Sequence, residues 1–153
     1  MCGDHRPRNP LGGALAVLSP SPSATQNSIR TSLWPLCGRL IFHDLRGGGS
    51  TATHAMFMPH SPLLYADSIP VNMENCLVKI HETGDLTKPA TESPLWATLS
   101  LKPVEHTGIQ AMMYELERPV KMEVGVDGII GRRVSIWIQQ STEPLSEGIA
   151  GFN

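Results

Sequence analysis

Six histidines, three cysteines and scattered carboxylates are the groups in this 153-residue sequence with chemistry to offer. His54 and His60 flank Met56 and Met58, and imidazole with thioether is a donor set suited to copper(I). The spacing fits no regular ligand geometry and Pro59 interrupts it, so no metal centre is expected. His43-Asp44, and His81-Glu82 with Asp85, each offer a base beside a carboxylate that would orient it. Ser50 and Cys76 are the candidate nucleophiles. Cys76 shares a strand phase with Val78 and Ile80, where a thiol is buried and inert. No GxSxG elbow, HExxH helix or paired-carboxylate spacing occurs. Gly47-Gly48-Gly49-Ser50 lacks the lysine of a phosphate-binding loop and reads as a linker. No cofactor is expected. A small hydrolase- or metal-type enzyme using His43, His54, His60 or His81 is the alternative reading, not the leading one.

The leading reading rests on two tryptophans. Trp96 runs in phase with Thr98, Ser100 and Lys102, and Trp137 with Arg133, Ser135 and Gln139. Tryptophan beside cations on a polar strand face is how protein interfaces and single-stranded nucleic-acid platforms are often built. Trp96, Lys102, Arg133, Trp137 and Gln139 are therefore the expected binding residues of a non-catalytic binding or self-assembly module. Its partner would be another protein or a second copy of the chain, with nucleic acid as the alternative. The competing reading is a second layer that simply covers both indoles.

The elements that would position these residues are strands. Cys76, Val78 and Ile80 alternate with Leu77, Lys79 and His81; Leu95, Ala97, Leu99 and Leu101 alternate with Trp96, Thr98, Ser100 and Lys102. Residues 109–118 fit either a strand face or a helical stripe (Ile109, Met112, Met113, Leu116) and are taken as strand, closed by Pro119. Runs at Val120–Val126 and Val134–Ile138 follow, with Asp127-Gly128 between them as a hairpin signal. Phase matching favours a three-residue loop with Gly128 left-handed, pairing Val124 with Ile130 and Val120 with Val134. The alternative is a bulge at Gly125 or Gly131. The fold class is mainly β: a small antiparallel sheet, sandwich or barrel of about five strands.

Three segments follow from this. Residues 1–72, rich in Ser, Pro and Gly, read as a largely irregular leader and arm, with Leu40-Ile41-Phe42 as its one short strand and Leu63, Leu64 and Tyr65 in an apolar stretch. Residues 73–140 are the β domain and 141–153 a fraying tail. Charge supports the division: five basic and three acidic groups precede residue 73, seven basic and eleven acidic follow it. The net charge of −2 creates no field for nucleic acid or anionic lipid. Cys2, Cys37 and Cys76 form no CxxC pair and read as reduced thiols of a cytoplasmic or nuclear protein. No run approaches the ~20 apolar residues of a membrane span. Val78-Lys79-Ile80-His81-Glu82-Thr83, with the polar loop and strand after it, resembles the β core of plant-virus movement proteins. The resemblance covers those residues alone and brings no diagnostic motif, so no family is assigned from it.

Overall fold

The computed structural model describes residues 12–22, 37–60, 75–106 and 111–153, with Glu105 and His106 as backbone. Nine strands run through them: β1 (Ala14–Pro20), β2 (Gly38–His43), β3 (Thr51–Pro59), β4 (Cys76–His81), β5 (Leu95–His106), β6 (Met112–Val124), β7 (Gly128–Ile130), β8 (Arg133–Ile138) and β9 (Ser146–Phe152). Eight of them pair antiparallel in the order β3-β2-β1-β9-β8-β4-β5-β6, and β6 returns to β3. The sheet is a closed barrel. Short β7 lies outside the ring, parallel to β6.

Closure follows from the inward residues. One face of each strand carries small and large apolar groups in alternation: Ala16 sits opposite Leu40 and Ala150, Leu40 opposite Phe57. Across the barrel Val78 lies between Leu99 and Ile136. All seven are buried. An eight-stranded ring has an interior just wide enough for side chains to fill, and alanines beside phenylalanines suit its taper. Emptying the centre by Phe57→Ala would cost about 3–5 kcal/mol.

Mainly β and antiparallel is what the sequence predicts; about five strands is not what forms. Strands β1, β3 and β9 lie in stretches read as irregular, and β2 extends the short run at Leu40–Phe42. Two- and three-fold runs of apolar residues hide their period. In β1, Ala14, Ala16 and Leu18 are buried while Leu15 and Val17 face out, and in β3 Ala55 and Phe57 are buried while Met56 and Met58 face out. Both faces are apolar, so alternation leaves no mark. In β9 the inward positions are Ser146, Gly148 and Ala150, too small or polar to read as core. The rest of the leader, with Leu63–Tyr65, Met73 and Ile109, lies outside the described residues.

The run at 109–118 and the run at 120–126 are one strand, β6, passing through Pro119. The β3–β6 register jumps from Ala52↔Val120 to His54↔Glu115. Pro119 thus sits in a bulge, where its missing N–H breaks no ladder bond. The expected hairpin also differs. Val124 does meet Ile130, but in a parallel bridge, and Val134 pairs with Ile80 and Gly148 rather than Val120. The left-handed residues are Gly125 (φ 123°) and Gly131 (φ 84°), not Gly128. Gly128 is needed for space: a Cβ there would collide with the Glu123 carbonyl.

All described loops of one barrel end belong together. That end holds the β2–β3 loop (44–50), the β4–β5 loop (82–94), the 125–132 segment with β7, and the C-terminal end of β9. We call it the rim.

Candidate functional site

Two consecutive arginines, Arg132 just before β8 and Arg133 as its first residue, build the rim. Arg132 Nε donates to the Gly128 carbonyl (2.6 Å), Nη1 to Glu82 (2.7 Å), and Nη2 to Gly125 and Val126 (3.2 and 2.8 Å). One planar guanidinium thus gathers four carbonyls from two loops, a task suited to its fixed fork of donors. Its carbon lies 4.7 Å from the centre of the Trp96 ring, so the indole backs the clamp by cation–π contact. Arg133 turns the other way. Its guanidinium meets Glu147 (Nη2–Oε2 2.5 Å) and donates to the carbonyls of Asp85 and Lys88 (3.1 and 2.7 Å). This pins the β4–β5 loop over the outer wall.

Beneath that loop runs a closed polar relay. His81 is the bulged last residue of β4, and its Nδ1 stands 3.1 Å from the Ser93 carbonyl. A carbonyl only accepts, so Nδ1 carries the proton and Nε2 is the acceptor. Ser135 Oγ lies 2.7 Å from that Nε2 and donates to it, while Trp137 Nε1–H donates to Ser135 Oγ at 2.8 Å. The Lys79 carbonyl, 3.4 Å from Ser135 Oγ, is a longer second acceptor for the same hydroxyl. Burial holds His81 below the ordinary imidazole range, aided by the Arg133 charge and opposed by the bond to Ser93. The arrangement has the spacing of a nucleophile and its base. Yet His81 and Ser135 are fully buried, and the indole occupies the hydroxyl's accepting side. What it does is tie the loop to the barrel.

The five sequence-predicted binding residues are scattered by this architecture. Arg133 is 1% and Trp137 5% exposed, and Lys79 Nζ sits 3.7 Å above the Trp137 ring. Both belong to the scaffold rather than to an open face. Trp96 is partly exposed at the rim. Lys102 is exposed but lies opposite Glu115, away from the rim, and exposed Gln139 follows β8 at the other barrel end. Arg132, the residue that organises the rim, was not singled out in the sequence. Its signal is its place immediately before Arg133 and after Gly131, a left-handed turn residue.

The candidate bases are also redistributed. Asp85 does not orient His81; it caps Thr87, accepting from its N–H (2.8 Å) and its hydroxyl (2.5 Å), which holds its carboxyl below the usual range. The Asp44 carboxylate accepts from Arg46 N–H rather than from His43. Cys76 is buried, which pushes its thiol up to about 11. His43 and His54 face each other across β2 and β3 with ring centres 6.2 Å apart. Among the described residues no group of three or more His, Cys, Asp or Glu side chains is placed to hold a metal ion, and no helix is long and apolar enough to cross a membrane.

The rim also carries exposed apolar side chains. Of the eight exposed large hydrophobic side chains among the described residues, six stand there: Leu45, Leu86, Leu95, Val124, Val126 and Phe152. Val124 and Val126 are the most exposed, at 70% and 85%. Leu95, Val124 and Phe152 are in the inward phase of β5, β6 and β9, one step beyond the last packed residue. They carry the core's chemistry out onto the end of the barrel.

A scan against protein-family models finds no match to this chain, and a comparison with curated proteins finds none either.

Proposed function

We propose that this protein is a non-catalytic self-assembly module that docks a second copy of itself through the rim. The observation that carries the reading is the placing of six exposed aliphatic and aromatic side chains at one barrel end, where Arg132 and Arg133 hold the segments that carry Leu86 and Val126. Single exposed hydrophobics are ordinary, whereas several gathered at one end of a barrel suit an interaction surface. Loops fixed before contact lose little freedom on binding, which raises affinity for a given area.

Charge selects the occupant. Exposed Arg46, Lys88 and Lys121 share this end of the barrel with exposed Glu82, Glu123 and Asp127, and Lys121 already lies 3.5 Å from Asp127. A surface with both signs interspersed offers nothing to a polyanion but can match a two-fold copy of itself. Trp96, backed by Arg132, is the aromatic anchor retained from the sequence reading.

The test is the effect of Val124→Asp together with Val126→Asp on mass in solution. Both side chains are exposed, so the melting temperature of the monomer should be unchanged. Loss of association with the fold intact supports the rim as the interface. Unchanged association places the contact elsewhere.

A further inference from the structure

The geometry points to a transition-metal site formed by the cross-strand pair His43 and His54, with Thr53 as the residue that positions it. The ion would be one that prefers imidazole, such as Zn²⁺ or Cu²⁺, held by two ring nitrogens and completed by solvent. This inference is independent of the self-assembly reading.

The two histidines occupy directly opposed positions of β2 and β3, on the outer wall just below the rim. Next to them the β3–β6 register breaks between Ala52 and His54, leaving Thr53 in the irregularity. In a regular strand, neighbouring side chains point to opposite faces. Here the irregularity turns Thr53 so that its Oγ1 lies 2.8 Å from Nδ1 of the adjacent His54. Bulges commonly re-aim a side chain in this way beside functional sites.

The outer nitrogens of both rings are then accounted for. His43 donates to the backbone of Asp44, and because its Nε2 has no partner among the described residues the donor is Nδ1. Thr53 Oγ1 is able to accept from His54 Nδ1–H. Metal-binding histidines characteristically place one N–H on such an oxygen, which fixes the tautomer and leaves the other nitrogen's lone pair for the ion. His43 Nε2 is that nitrogen here: buried and without a hydrogen-bond partner among the described residues. A buried polar atom left unpaired is costly, and a bound ion would remove the cost.

The ring separation fits. An ion about 2.1 Å from each Nε2 puts the two ring centres roughly 5–6.5 Å apart as the N–metal–N angle opens from tetrahedral to linear. The observed 6.2 Å lies inside that range, toward its open end, so a tetrahedral ion would draw the two rings slightly together. Exposed Glu115 stands opposite His54 in register and brings a carboxylate to the same row. Only two imidazoles are fixed in place, so the site is weaker than a structural zinc centre and exchanges its ion.

The experiment is calorimetric titration of the full-length chain with Zn²⁺, and separately with Cu²⁺, in a buffer without chelators. One equivalent of each should bind per chain, Cu²⁺ the more tightly. His43→Ala and His54→Ala should each weaken binding by about tenfold or more, and Thr53→Val by about tenfold, on the scale seen when second partners of ligands are removed. The melting temperature without metal checks that each variant folds. For any variant that does not, the Cu²⁺ spectrum of the unaltered protein should show hyperfine coupling to two imidazole nitrogens. Absence of saturable binding, binding indifferent to both histidines, or coupling to one nitrogen only would each overturn the assignment.

Discussion

Ser135 Oγ and His81 Nε2 stand 2.7 Å apart with both residues fully buried, a nucleophile and base spacing put to structural use. A serine-directed fluorophosphonate should therefore leave Ser135 unmodified in the folded protein. Ser135→Ala strands the indole N–H of Trp137 and the acceptor nitrogen of His81 together. It should lower stability by about 1–3 kcal/mol, read from chemical unfolding.

Stability should fall in mild acid, and His81 should account for part of it. Burial lowers its folded-state affinity for a proton relative to the ordinary value of 6.5. Above about pH 7.5 the ring is neutral folded or unfolded, so it contributes no pH dependence. As pH falls through 6.5 the unfolded chain takes up the proton first, and unfolding becomes easier until the folded ring also titrates. His43 is lowered in the same sense, by burial and by the neighbouring His54. His81→Gln should flatten the slope of unfolding free energy between pH 7 and 5 without abolishing it.

Glu147 is the anion of a buried pair with Arg133, and its loss isolates a buried cation. Glu147→Ala should cost about 3–5 kcal/mol. Replacing both partners by Arg133→Met and Glu147→Leu should recover most of that loss, because no unpaired charge remains. If the double variant is no better than the single one, the arginine's bonds to Asp85 and Lys88 matter more than the ion pair.

Arg132→Lys keeps the charge and loses the fork. An ammonium cannot reach the four carbonyls of Gly128, Glu82, Gly125 and Val126 together. Amide exchange should speed up in 82–84 and 125–128 while the barrel strands keep their protection, and association should weaken with it. Uniform exchange in the variant and the parent would mean that the clamp does not order the rim.

The parts of this molecule that were readable as sequence are those whose two strand faces differ. In β4, β5 and β8 the inward aliphatics alternate with mostly polar residues, and those strands form where the period puts them, although β5 runs on through Pro103, read as its stop, to His106. In β1 and β3 both faces are apolar, because outward Leu15, Val17, Met56 and Met58 match the inward residues in kind. There the period-two signal cancels. The tryptophans show a second limit. Their outward phase was correct, but phase does not reveal the loop at 82–94 folding back over the wall, which depends on Arg133 reaching the carbonyls of Asp85 and Lys88. The rim was legible only as scattered aliphatics in turns. Leu45, Leu86 and Val126 share one barrel end because the ring closes, and closure is a long-range property that no local window contains.

Self-association is the central claim, and sedimentation equilibrium of the unaltered full-length chain tests it most directly. Across rising micromolar loading concentrations, at neutral pH and with a chelator present to exclude the metal site, the fitted mass should climb from 16.6 kDa toward twice that value. A mass that stays at 16.6 kDa over the whole range would contradict the account.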